Sequence, residues 1–568
     1  MKWLVAYVSG IASSVIMAVC LGFLFNGLHK NTAFTSLTAG LMVAIFIVVK
    51  YSNLSSGVQK KDLGFWSWAT IIIFVLFSLR SFLWLIFKRG DSIQVLCANN
   101  LGDMPYHINY IQYFANGAPF WPSNPICTGE KIHYHFGLDL FNSLLVLLGM
   151  DLIKSLVWVG LVSSIATGFA LLTWGRAFTL GGFLFNGGIA GFNFFQTLNL
   201  TDYQRALDWE NIPLVFIPQR ALLYALPAGL LLLTSWQQRF FRNEEKSSKL
   251  SLPLWIEVLL YSSMPIFHIH TFIFLSMLLG IWILILSWSK RVQILRLIGF
   301  SFPLACFFIA FLTDFLKKGG MIHIDLEYLQ SINSFLKFWI FNFGIFWPLV
   351  IWLCIELIFK KREQEAGFFV FPGVVLFVFF SLVIMSSWKH DNIKLLLWSY
   401  IILLPYLWKN LISHWDKFNH YVVCFVLFFS GFICVVSSFD VRRSHEIFKL
   451  SEVREVASVV QKLPLENRFA AYPTYNHPLS FCGRKIVLGY PGWLWVHGFA
   501  YGETEEKLKK VMLGDPEWQK LAKELGVRYI FWGEREKHEY TMSTMPWVTK
   551  ASKLFDGTYC QIYDLGQI

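Results

Sequence analysis

Apolar runs of 13–25 residues alternate with short polar intervals through the first three quarters of the chain, and most of the runs are long enough to cross a bilayer as helices. Runs fall at 3–25, 34–50 and 65–87, then after a long polar interval at 154–174, 179–198 and 221–236. They continue at 254–266, 271–288, 297–312, 335–359, 367–386, 395–408 and 421–438. The pattern predicts about thirteen transmembrane helices. Within 254–288, Pro265 and the polar pair His268 and His270 predict a break between two helices. A shorter apolar stretch at 137–150 carries Asp139 and is expected to lie at the membrane surface. Past Arg442 the pattern changes, with frequent mixed charges and short apolar runs. Helical spacing at 450–462, 504–513 and 516–525 and a strand at 527–532 predict a small α/β domain. The expected architecture is an all-α polytopic membrane domain over 1–440, including a loop at 88–153, and a C-terminal exoplasmic α/β domain over 441–568.

Composition agrees with the pattern. Of 568 residues, 55% are hydrophobic and only 15% charged, whereas soluble domains are about a quarter charged. The formal charge of +12 is therefore read through the positive-inside rule. Lys50, Lys60, Lys61, Arg176, Arg239, Lys290, Arg291 and Lys360 alternate consistently with a cytoplasmic N-terminus, while Lys88, Arg89, Lys317 and Lys318 run against it. Residues 1–26 read as an uncleaved first span, because no clean cleavage site follows the apolar run. No basic stripe interleaved with aromatics stands apart from the membrane-flanking cations, so nucleic acid is not an expected partner. Cys97, Cys127, Cys482 and Cys560 fall on the exoplasmic side, where pairing and free thiols both remain open.

Chemistry concentrates in the polar interval from Asp91 to Asp139. Asp103 precedes a segment with helical spacing, and His107 follows at i+4, on the same face of a helix. A carboxylate shielded from water there suits a general base; the plainer role is a helix cap beside Pro105. His133 and His135 would share one face of an extended strand. With Asp103 or His107 they could ligate zinc, but without Cys pairs or a spaced HExxH the better reading is polar contact with a sugar or phosphate. Glu130 and Asp139 lie close by. His268 and His270 either face a cavity or satisfy carbonyls of a broken helix. Arg220 can clamp a phosphate or anchor to headgroups, and Lys394, in the knot that holds Asp391, can neutralise a phosphate or snorkel.

At the level of phrases the chain resembles a family. GDMPYHINYIQYFANG, NPICTGEKIHYHFGLD, IPQRALLYALP, MPIFHIHTF and KHDNIKLLLW are similar to segments of a large group of prokaryotic multi-span membrane proteins. So are CGRKIVLGYPGWLWVHG and LGVRYIFWGERE near the C-terminus. That group is related to protein-mannosyltransferase-like (family 39-like) enzymes, and the whole resembles the GT-C superfamily of glycosyltransferases that use lipid-phosphate sugars. The resemblance implies that Asp103 is the acidic residue of the first exoplasmic loop, acting as base or beside the reacting centre. Glu130 or Asp139 is the nearest second acid, and the adjacent Asp-Glu pair of mannosyltransferases is missing.

The expected function is transfer of a sugar, with inversion, from a polyprenyl-phosphate carrier to a lipid, glycan or protein acceptor, with Asp103 as base. His107, His133 and His135 would position sugar or phosphate, with Arg220 and Lys394 opposing the phosphate charge. No cofactor and no metal are expected; the partners are the lipid-linked donor, the acceptor and membrane lipids. A bacterial inner membrane is the expected location, with the C-terminal domain outside. The rival readings are a transporter or flippase, which broken helices would suit, and a non-catalytic scaffold.

Overall fold

The computed structural model describes residues 1–52, 54, 64–96, 100–200, 216–241, 251–315, 322–324, 340–360, 364–386, 388–440 and 444–566. Cys97, together with Lys60, Lys61, Lys317 and Lys318, lies outside the described residues. The chain is mostly helical. Among the described residues, 8 helices are long and apolar enough to cross a membrane, from Lys2–Leu24 to Lys417–Ser438. Shorter apolar helices cover Gly137–Leu147, Leu254–Phe267, Ile269–Ile285 and Phe346–Phe359.

Two expected spans differ in form. The helix Leu152–Leu184 runs through both 154–174 and the start of 179–198, with its dihedrals broken at Gly175 and Arg176. The remainder of 179–198 is not one helix: turns at Ala190–Asn193 and Phe194–Thr197 follow. Gly188 packs directly against the Phe341 backbone there, so closely that an added Cβ would collide with its carbonyl oxygen. The expected break near Pro265 falls at His268, whose extended backbone (φ −162°, ψ 97°) separates Leu254–Phe267 from Ile269–Ile285.

Lipid-exposed helices gain little from hydrophobic association with one another, so close packing needs small residues. The helices Lys2–Leu24 and Lys30–Lys50 meet in that way. A Cβ on Gly10 would stand 3.2 Å from the Gly40 carbonyl oxygen, and one on Gly40 would collide with the Ser14 hydroxyl.

The polar interval is tied to the C-terminal segment by backbone pairing. Strand Ser92–Val95 lies between Phe87–Arg89 and His445–Lys449, antiparallel to both. Asp91 closes the junction, its carboxylate accepting from the Ser451 N–H (2.9 Å) and hydroxyl (2.5 Å). Arg468 donates to the carbonyls of Ile486 and Asn124 (2.8 and 2.9 Å), pinning the interval to the domain a second time. That C-terminal segment carries a four-stranded sheet in the order Arg468–Ala470, Val527–Gly533, Cys560–Asp564, Ser552–Asp556. The first pair is parallel and the others antiparallel. Helices Leu450–Val460, Gly502–Leu513 and Trp518–Glu524 stand where the spacing puts them. Cys482 and Cys560 are buried free thiols, not a disulfide.

Glu536 is the electrostatic keystone of this domain. Its carboxylate accepts from the N–H groups of Tyr472 (2.8 Å) and Gly533 (3.0 Å), with His477 Nε2 at 3.1 Å. Burial pushes its carboxyl up, but His477, through its hydrogen bond and charge, and then the Tyr472 N–H more than offset this and hold it below the ordinary 4.5. A carboxyl lowered in the folded state adds stability that is present above 4.5 and lost as pH falls through the folded value. Thermal melts of the full chain across acid pH should therefore show Tm dropping below about pH 4.5. Glu536→Gln should flatten that drop and lower stability at neutral pH by about 1–3 kcal/mol.

Candidate functional site

The helix Asn100–Ala115 places Asp103 in its first turn and His107 one turn later, on the same face. Asp103 does not act as a cap to a defined partner: among the described residues no hydrogen bond reaches its carboxylate. His107 is held from behind, its Nδ1 2.8 Å from Asp139 Oδ2. Asp139, in the first turn of Gly137–Leu147, is itself buried. Its second oxygen, Oδ1, has no hydrogen-bond partner and faces Arg220 Nε at 3.8 Å. Arg220 opens the helix Arg220–Trp236 and is 0% exposed, with Nη1 donating to the Leu156 carbonyl at 3.4 Å. At that depth Arg220 stands behind Asp139 and not at an entrance open to a phosphate.

A second group gathers three imidazoles. His135 lies edge-to-face against His268 (centroids 5.2 Å apart) and 6.2 Å from His270, and His268 and His270 are 5.2 Å apart. The Thr271 backbone N–H donates to His268 Nδ1 at 3.2 Å, and the Thr271 hydroxyl sits 2.7 Å from the same nitrogen. Trp398 Nε1 donates to that hydroxyl oxygen at 2.8 Å, which leaves its proton for the imidazole. His268 Nδ1 is thus an acceptor, and the proton of the neutral ring sits on Nε2. That Nε2 is buried without a partner, as are His135 Nε2 and His270 Nδ1. Three ring nitrogens in one buried group thus have no protein partner and are open to a polar ligand or water.

His133 does not join them. The segment around Tyr134 is irregular, not the expected strand, so the two imidazoles diverge. His133 Nδ1 meets the Leu312 carbonyl at 2.9 Å and its Nε2 lies 3.5 Å from Glu130 Oε2. Glu130 and His133 therefore brace the loop, away from the imidazole group.

Lys394 supplies the positive charge. It opens Ile393–Asn410 and pairs with Asp391 at 2.9 Å. Asn392, between them, bonds the carbonyls of Phe380 and Val383 (2.7 Å each) and fixes the knot. The field of this pair reaches the other groups. Burial raises the Asp103 carboxyl; His107 and Lys394 pull it back, Asp391 adds to the rise, and the net shift is upward from 3.8. Burial raises Asp391 too, but Lys394 and then His270 more than offset it and leave it lowered. Burial, then the charges of His270 and Lys394, hold His135 well below 6.5, so its ring is neutral at neutral pH.

The C-terminal segment adds side chains that sequence reasoning did not single out. The short helix Pro491–Val496 brings Trp493 5.2 Å from Tyr106, and His497 stacks on Tyr106 at 5.4 Å and meets Tyr134 at 5.3 Å. Burial lowers His497 to about 4, with Asp391 and Lys394 acting on it in opposite senses. The signal was present as two Trp and a His behind a Pro-Gly turn in an otherwise charged domain.

No family model matches the chain, and no curated protein does. Solved structures of the Archaeoglobus fulgidus oligosaccharyltransferase are similar in outline. One, tethered to an acceptor peptide with an NVT sequon, shares 10% identity at TM-score 0.44 over 89% of this chain and 74% of its own. Another, with an inhibitory peptide and a dolichol-phosphate, shares 11% at 0.41 over 89% and 74%. The apo form shares 10% at 0.42 over 90% and 75%. What the site does is argued from its own side chains.

Proposed function

We infer that the protein is an integral-membrane glycosyltransferase that moves a sugar from a polyprenyl-phosphate carrier to an acceptor hydroxyl. One observation carries this: Asp103 and the packed His135–His268–His270 group come from separate stretches, and the Lys394 charge, paired with Asp391, reaches both. Asp103 takes the acceptor's proton as its oxygen attacks the anomeric carbon. The bond from that carbon to the phosphate oxygen breaks, the electron pair stays on phosphate, and the anomeric centre inverts. Lys394 and the His268 Nε2–H meet the returning phosphate charge, the term that usually dominates such steps. Asp139 and Arg220 act one layer back, orienting His107. The site faces the exoplasm, and about thirteen membrane segments carry it, the shorter apolar helices included.

The test is retention of a polyprenyl phosphate against the matching neutral polyprenol, by native mass spectrometry of the purified chain. The phosphate should bind, the alcohol should not, and Lys394→Ala should weaken phosphate binding roughly tenfold, a lost charge-assisted hydrogen bond. Equal retention of phosphate and alcohol overturns the reading.

A further inference from the structure

The aromatic side chains above Asp103 form a ladder that the transfer step does not use. From the outside inward it runs Tyr475 to Tyr490 (5.8 Å between centroids), Tyr490 to Trp493 (5.8 Å), Trp493 to Tyr106 (5.2 Å) and Tyr106 to Tyr134 (5.0 Å). Tyr134 stacks on His135 at 4.3 Å, which brings the ladder to the imidazole group. Its outer end is open: Tyr490 is 39% exposed, and Tyr475 and His497 are half-buried.

Trp493 lies further in, at 7% exposure, yet its indole N–H has no hydrogen-bond partner. An indole N–H is a donor only, and buried ones usually find an acceptor. This one lies beside the start of the Asp103 helix, 3.7 Å from where a Cβ on Gly102 would stand. His497 Nδ1, next to it, is likewise buried without a partner. The wall therefore offers aromatic faces together with unmet polar nitrogens, one turn of chain from the base.

We propose that the wall formed by Tyr490, Trp493 and His497 is the acceptor subsite and that the acceptor it takes is a saccharide. This rests on the transferase reading and names its acceptor class. A sugar ring has an apolar C–H face, which aromatic faces accept, and a rim of hydroxyls, which accept from Trp493 Nε1 and pair with His497 Nδ1. An acyl chain would leave both nitrogens unmet. An extended peptide would call for a row of alternating backbone donors and acceptors, and this wall is made of side chains on a short helix. The sugar hydroxyl that reacts is then the one reaching Asp103.

The experiment is saturation-transfer NMR on the full chain in a detergent without a sugar headgroup. The probes are tetrasaccharides of hexose, N-acetylhexosamine, pentose and uronic acid, and an unstructured peptide mixture. At least one saccharide should receive saturation at its ring protons. Trp493→Ala should weaken its binding at least tenfold. Trp493→Phe, which keeps the ring and loses the N–H, should weaken it by a smaller factor and shows that the fold has survived. Trp495→Ala, on the exposed side of the same helix, should leave binding unchanged. Binding of none of the saccharides, binding of peptide instead, or equal loss in Trp495→Ala overturns the proposal. Saccharide binding without retention of polyprenyl phosphate keeps this subsite and removes the transferase reading, so the two fail separately.

Discussion

Asp103→Asn should reduce the rate of polyprenyl-phosphate release from a polyprenyl-phosphate sugar by about 10²–10⁴-fold, the range for loss of a positioned base, while Tm stays level or rises. The two halves of this expectation come from the same fact. Burial raises the Asp103 carboxyl above 3.8, so the folded chain holds the proton more tightly than the unfolded one. A carboxyl raised on folding lowers stability once pH exceeds its unfolded value, and the full penalty is present above the folded value. Asn keeps the shape and removes the buried charge, so the fold gains while the chemistry loses its proton acceptor. A base must be deprotonated, so wild-type turnover should rise with pH along a limb displaced upward from the ordinary Asp range, and residual turnover in Asp103→Asn should lack that limb. Turnover unchanged within twofold in the variant would sink the base assignment. Loss of turnover accompanied by a large fall in Tm would mean that Asp103 serves the fold.

Much of this arrangement could be read from local spacing. The i+4 relation of Asp103 and His107 survives because the helix Asn100–Ala115 forms as its pattern predicts. The break at His268 follows from Pro265 and two polar residues in an apolar run. The strand Val527–Gly533 and the helices around it follow from period-2 and period-3.6 patterns. What escaped the sequence is long-range. Nothing local distinguishes His135, which meets His268, from His133, which turns to Leu312. Nothing in the apolar run 179–198 shows that the Phe341 backbone will fill the space beside Gly188. Arg220 at a span's edge reads as a surface clamp until Asp139, from another segment, turns out to be the group in front of it. Trp493 and His497 belong to the C-terminal segment by sequence and to the site by packing.

Arg220→Ala should destabilise the protein by about 3–5 kcal/mol, the penalty for removing one partner of a buried charge pair. The guanidinium is 0% exposed and Asp139 2% exposed, so water cannot replace the missing cation. Asp139 would keep His107 as a neighbour through Oδ2, but Oδ1 has no hydrogen bond even now and would lose the only positive group within 4 Å among the described residues. Attraction between the two charges offsets part of the cost of burying them, and that offset is lost when either is left alone. Arg220→Met with Asp139→Asn should therefore be more stable than Arg220→Ala, because both charges leave together and the volumes are roughly kept. Thermal and denaturant unfolding of the single and double variants in lipid nanodiscs reads the coupling directly. Additive losses would show that the pair carries no electrostatic link. The recovered double variant should still turn over slowly. An amide in place of the Asp139 carboxylate could accept from the His107 Nδ1–H but would bring no charge to hold the ring. The fold then returns without the alignment of the imidazole that sits one helical turn from Asp103.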